Sequence, residues 1–173
     1  MRILFLKKQI ANLLIISTAV LLVPVVFSAE QNILVQEVKI TAKSQASDLK
    51  SKILSYIDNV RITQGKLLIT ADLAKVHTQK GSDKNVYILQ GQPAVFEQVL
   101  EDGTKVRLEA NEIKFEPATH MVTVTKNAHF ISAVSDVRAS KITYNTQTKT
   151  QQAESDGDEI VTTILKPALI KDK

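Results

Sequence analysis

The chain is 173 residues long, 44% hydrophobic and only 5% aromatic, with no cysteine and no tryptophan. These figures exclude a disulfide scaffold and leave little for a sugar-stacking surface. Of its 22 basic residues three lie within 1–28, so the remainder carries 22 less 3, or 19, against 18 acidic ones, and no basic cluster is left to bind a nucleic acid.

Arg2, Lys7 and Lys8 open the chain, Leu13 to Phe27 is almost wholly apolar, and Val26 and Ser28 supply small residues before Ala29. A basic start, an apolar middle and a small-residue exit are the parts of a secretory signal. A cleaved signal is expected over 1–28, with the cut after Ser28. The apolar run is short for a membrane span of about 20 residues, which leaves an uncleaved anchor as the alternative. The remaining length suits one domain with its own core, expected over 29–166 and followed by a loose tail over 167–173.

From Ile33 onward alternation of apolar and polar residues dominates, the pattern of strands. Val35 to Ile40 reads as a first strand, and Gln45 to Leu54 is the one helical candidate. Arg61-Ile62-Thr63 and Lys66 to Ala71 alternate on either side of Gln64-Gly65, and Lys105 to Ala110 is the cleanest such stretch. Met121 to Thr125, Lys141 to Tyr144 and Ile160 to Leu165 follow, the last limited by Pro167. Turn signals, including Lys80-Gly81-Ser82-Asp83, Glu101-Asp102-Gly103 and Asp156-Gly157-Asp158, recur at short intervals and predict a meander of hairpins. All five glycines are expected in turns.

Two small-residue anchors recur along this meander. One is Ala71-Asp72, Ala110-Asn111 and Ala139-Ser140; the other is Asn59-Val60, Gln92-Pro93-Ala94 and Asn127-Ala128. Apolar parity changes at the first anchor: Leu67, Ile69 and Ala71 share one face, whereas Ala74 and Val76 have the opposite parity. A bulge or corner does this. A corner at the same place in every layer predicts a folded-over sheet, apolar inside and charged outside, with unpaired strands at its two ends.

Catalytic constellations are missing. His77, His120 and His129 have no metal-ligand spacing, and neither a nucleophile elbow nor a phosphate loop occurs. His129 is expected as a plain surface histidine, Asp72 as a structural cap, and Glu109 and Glu112 as parts of a solvated face.

Read in order, Arg61-Ile62-Thr63-Gln64-Gly65-Lys66-Leu67-Leu68-Ile69-Thr70-Ala71-Asp72, Gly91-Gln92-Pro93-Ala94-Val95-Phe96, Asn127-Ala128, Lys141-Ile142-Thr143-Tyr144 and Val161 to Pro167 resemble the OstA-like family of periplasmic lipopolysaccharide-transport proteins, the LptA group. Asp58 and Lys126 depart from it, standing where the family often has Gly before Asn. The resemblance implies an all-β protein, an elongated β-jellyroll forming a V-shaped sheet of repeated strand pairs. It implies a periplasmic bridge without enzymatic activity or cofactor. Such a bridge binds lipopolysaccharide, shields the lipid A acyl chains in an apolar groove and passes the lipid from the inner-membrane complex to the outer-membrane translocon. The implied partners are an LptC-like protein at the N-terminal edge, an LptD-like translocon at the C-terminal edge, and further copies stacked head to tail.

The repeats set the register of the expected groove. Its N-terminal members are Val38, Ile40, Tyr56, Ile62, Leu67 and Ile69. Phe96, Val106, Leu108 and Phe115 form its middle, and Val124, Phe130, Ile142 and Tyr144 its end. The docking edges are expected at Val35, Val38 and Ile40 and at Val161, Thr163 and Ile164. The alternatives are a membrane-tethered, LptC-like relative and a ligand-free structural β-sandwich.

Mass spectrometry of the exported protein should find a chain beginning at Ala29 or Glu30. An intact N-terminus in the membrane fraction would favour the tethered relative instead.

Overall fold

Alternation becomes ten strands in one antiparallel sheet. The computed structural model describes residues 36–80 and 84–167; the expected signal, Val35 and residues 168–173 of the tail lie outside the described residues. The strands are β1 (Lys39–Thr41), β2 (Ser44–Asp48), β3 (Ile53–Gln64), β4 (Leu67–His77), β5 (Val86–Val99), β6 (Lys105–Glu116), β7 (Met121–Ile131), β8 (Ser135–Asn145), β9 (Gln151–Glu154) and β10 (Thr162–Leu165). A 3-10 turn, Pro117–Thr119, joins β6 to β7.

Strands β3 to β8 form a continuous meander; β1 and β2 both pair with β3, and β9 and β10 both pair with β8. Each long strand is divided by a corner. At the β3–β4 corner Asp58 and Asn59 stand opposite the single residue Asp72, between the pairs Ile57↔Leu73 and Val60↔Ala71. At the β7–β8 corner Lys126 and Asn127 stand opposite Ser140. Between β5 and β6, Gly91, Gln92 and Pro93 stand opposite Asn111. The two sequence anchors are therefore the two sides of one bend. Strands β3, β5 and β7 carry the extra residues, and β4, β6 and β8 one small polar residue each. An extra residue kinks its strand and increases the local twist.

Left-handed backbone makes the bend. Asp58, Asn59, Lys126 and Asn127 have φ of 60°, 51°, 63° and 67°. Glycine enters this region freely, and Asn and Asp tolerate it better than other residues. Gly91 is needed for a different reason: a Cβ there would lie 2.8 Å from the Ala94 backbone nitrogen. It stands inside β5 rather than in a turn, which corrects the expectation that all the glycines mark turns.

The bend makes two arms that face each other. The first holds Val60–Gln64, Leu67–Thr70, Ala94–Val99, Lys105–Ala110, Ala128–Ile131 and Ser135–Ala139, flanked by β1 and β10. The second holds the other halves, flanked by β2 and β9. Phe96 of the first arm meets Phe115 of the second with ring centroids 5.5 Å apart, and Phe130 meets Tyr144 at 5.7 Å.

The helical candidate Gln45–Leu54 is instead strand β2 and a turn. Asp48 Oδ1 accepts the backbone N–H groups of Lys50 and Ser51, both at 3.0 Å, and this Asx-type turn sends the chain back antiparallel along β3. The first edge strand is Lys39–Thr41, not Val35–Ile40, and the last is Thr162–Leu165 rather than Ile160–Leu165.

Asp58→Val should cost about 1–2 kcal/mol more than Asp58→Gly in urea unfolding, because a β-branched residue is strained at positive φ. Equal stabilities would remove the left-handed corner from the account.

Candidate functional site

The inner surface of the two arms is one apolar sheet of side chains. In the first arm a row runs from Ile40 through Ile62, Ile69, Phe96, Leu108, Phe130 and Val137, and ends at Thr163. In the second arm one row joins Tyr56, Ala74, Leu89, Ile113, Val124, Ile142 and Ala153. A parallel row joins Leu54, Val76, Tyr87, Phe115, Val122 and Tyr144. The expected groove residues all fall on the apolar surface these rows share. Sequence reasoning missed Tyr87, Leu89, Ile113, Val122 and Val137. Tyr87 and Leu89 alternate within Val86–Gln90, which was the available signal.

Depth divides the expected residues. Ile62, Ile69, Val106, Leu108, Val124, Phe130, Ile142 and Tyr144 are buried between the arms. Tyr56 is half-buried against them. Phe96 and Phe115 are buried too but line the mouth, and half-buried Val38, Ile40 and Leu67 reach it, where the tips of the two arms stand apart.

Two adjoining cavities occupy that mouth and share Gln36, Gln64 and Pro117. The first, about 560 Å³, has walls of Leu67, Phe96, Leu100 and Phe115. Its rim comes from hairpin tips of both arms, with Lys66 and Glu101 on one side and His120 and Lys149 on the other. The second, about 580 Å³, lies under the segment leading into β1 and is walled by Val38, Ile40, Leu54, Val76 and Tyr87. Among the described residues two side-chain polar atoms are buried without a hydrogen-bond partner, Gln98 Oε1 and Tyr144 Oη. Burial pushes the Tyr144 hydroxyl above its usual pKa, so it stays protonated at neutral pH.

The outer face is charged and tied together. His129 points outward in register, as expected from the repeats, but is only 6% exposed rather than a plain surface histidine. Its Nε2 lies 2.5 Å from Asp136 Oδ1 and its Nδ1 3.8 Å from Glu109. Arg107 in turn holds Glu109 at 2.5 Å and Glu97 at 3.1 Å. Glu112 pairs with Lys126 across the corner at 3.2 Å. Asp72 is exposed and makes no side-chain hydrogen bond among the described residues, so it serves as a small corner residue and not as a cap. Among the described residues no three His, Cys, Asp or Glu side chains converge as metal ligands.

The ends differ in character. Among the described residues β1 and β10 each pair on one side only. Large apolar side chains left exposed gather at the β10 edge: Val134, Ile160, Val161, Ile164 and Leu165. Lys166 N–H donates to Val134 C=O at 3.0 Å, which holds this edge beside the β7–β8 turn. Within β10, Thr163 and Leu165 have inward parity, and Thr162 and Ile164 outward parity.

An open, folded-over antiparallel sheet with an apolar inside and unpaired ends defines the class: a bent jellyroll protein, not a closed barrel. Residues 39–150 match the family model described as LptA/(LptD N-terminal domain) LPS transport protein. The lipopolysaccharide export system protein LptA of Escherichia coli (strain K12) is 32% identical over 140 residues, covering 80% of this chain and 75% of the relative. The protein of the same name from Haemophilus influenzae is 28% identical over 167 residues, 95% of this chain and 96% of that one. The crystal structure of LptH, the LptA homologous periplasmic component from Pseudomonas aeruginosa, superposes with a TM-score of 0.70 at 22% identity, covering 76% of this chain and 96% of that chain. The chain belongs to the LptA/LptD N-terminal-domain family of lipopolysaccharide-transport proteins, which are transport proteins and not enzymes.

Depth sets the expected energetics. Leu108→Ala should lower stability by about 2–5 kcal/mol, since its fully buried side chain lies between the arms. Leu100→Ala at the half-buried rim should cost less than about 2 kcal/mol. Chemical denaturation compares them, and equal losses would contradict the division into interior and mouth.

Proposed function

We propose that this protein is a periplasmic carrier that holds lipopolysaccharide by its acyl chains between the two arms and passes it from an inner-membrane complex to an outer-membrane translocon. The observation that carries the reading is the continuous apolar interior opening at the mouth, in a chain of this family. Each methylene kept from water contributes about 0.8 kcal/mol, so a lipid with several acyl chains needs a covered route across an aqueous space. The sequence supports export, through the signal expected over 1–28 and removed before the domain that follows.

The expected groove residues keep their assignment, now with an order of contact. Val38, Ile40, Leu67, Phe96 and Phe115 meet lipid first because they border the mouth. Cavities of roughly 300–1,000 Å³ enclose one drug-sized ligand, which is smaller than a lipid with several chains. The arms therefore part as chains enter, and deeper residues such as Ile69 and Leu108 exchange the opposite arm for hydrocarbon.

The ends are proposed as docking edges. Val35, Val38 and Ile40 belong to the edge assigned to the LptC-like partner, and Val161, Thr163 and Ile164 to the edge assigned to the LptD-like translocon. Copies would join head to tail by the same strand pairing, a heterologous contact that extends the apolar interior without closing it.

A ligand-free sandwich is the second reading, favoured by the full burial of Ile69, Leu108 and Leu89. Photo-reactive residues separate the two. Placed at Leu67 or Ile69 they should capture lipopolysaccharide in cells, and at Leu68 or Thr70 they should not, since neighbouring strand residues face opposite sides. Capture at neither parity would leave the sandwich standing. Ile164→Pro removes a backbone donor from β10, and should weaken association between copies without unfolding the central strands. Light scattering over a concentration series reads this, and unchanged association would remove β10 from the joint.

A further inference from the structure

The mouth cavity beside Leu67 and Phe96 is graded in polarity. Gln98 occupies an inward position of β5, paired with Leu67 on β4 and Val106 on β6, two residues beyond fully buried Phe96. Apolar packing alone would place an apolar side chain between those neighbours. Its Oε1 is instead buried without a donor, a costly arrangement unless something supplies one. Gln64, the next inward residue after Ile62, lines the same cavity and donates through Nε2 to the Gln36 carbonyl at 3.0 Å. Neutral amides thus border the exit of the apolar interior. Beyond them stand the cations Lys66 and Lys149, the latter's ammonium donating to the Thr146 carbonyl, and the imidazole of His120, against a single carboxylate, Glu101.

Different ligands use different parts of this gradient. A bare hydrocarbon would leave Gln98 unpaired and give the cations no anionic partner. A free anion would use the rim and ignore the wall of Leu67 and Phe96. An amphiphile whose chains join an anionic head through N–H or O–H groups uses all three zones.

We propose that this cavity is a head-group subsite. Gln98 Oε1 accepts a hydrogen bond from an N–H or O–H at the junction of acyl chain and head group, and Lys66 and Lys149 pair with a phosphate on that head group. The inference rests on the carrier reading above and adds which end of the lipid this cavity reads, and with which residues.

Equilibrium binding of full-length protein to lipid A and to its dephosphorylated form tests both halves. Gln98→Leu should weaken both lipids about tenfold, a hydrogen bond's worth, while the thermal midpoint stays or rises because the orphan acceptor is gone. Gln98→Met serves if Leu disturbs the fold. The double variant Lys66→Gln/Lys149→Gln should weaken the phosphorylated lipid several-fold and the dephosphorylated one little. Wild-type affinity in the Gln98 variants, or equal weakening of both lipids in the double variant, would overturn the subsite alone. Displacement of lipid by inorganic phosphate would assign the rim to a free anion and overturn it too. Failure of the wild type to bind either lipid would remove the carrier reading along with it.

Discussion

Each arm of the bent sheet has one apolar face, and that face is covered by the other arm. No cysteine cross-links the chain, and no α-helix packs on the sheet among the described residues. Stability therefore depends on contacts such as Phe96 with Phe115 and Phe130 with Tyr144. Burying a side chain of that size stabilises by about 1.5–3 kcal/mol. The hydrophobic effect is non-directional, so hydrocarbon can replace the opposite arm at little net change in free energy. In the proposed carriage, the surface that is a core when empty becomes a lining when occupied. That duality connects the fold to the proposed carriage of a lipid.

The corners convert a flat meander into a wedge. Along the bend stand Val60 against Ala71, Ala94 against Ala110 and Ala128 against Ala139, small residues that let the arms converge. Farther out come Ile69, Leu108 and Ile113, then the open mouth. Side-chain size therefore increases away from the bend until the arms separate. The bend recurs in every layer, so the wedge can run on from one end of the sheet to the other. At both ends, among the described residues, the last strands pair on one side only, and further strands can add there without altering the wedge.

Much of this was legible because strand parity is a local property. The shift between Ile69 and Ala74 gave the corner, and recurrence at Asn111 and Ser140 gave the bend of the whole sheet. What stayed hidden depends on partners distant in sequence. β2 reads as neither strand nor core because all five of its residues are exposed, and it is held by backbone pairing to β3. His129 is buried by Glu109 and Asp136, which reach it from β6 and β8. The left-handed pairs at Asp58 and Lys126 show in sequence only as departures from the Gly the family often has there, and φ shows that Asp and Lys do the work of glycine. The mouth was least legible of all. It is assembled from the segment leading into β1 at Gln36 and from hairpin tips near residues 65, 100, 118 and 147, which nothing in a linear pattern brings together.

The proposed carriage requires the arms to part and admit lipid. Spin labels at Glu101→Cys and Ala118→Cys, on tips of opposite arms, measure that directly by electron-spin distance spectroscopy. The distance should increase and its distribution broaden as lipid A is added to saturation. A distance unchanged while lipid is demonstrably bound would contradict the account, because the chains would then be held somewhere other than between the arms.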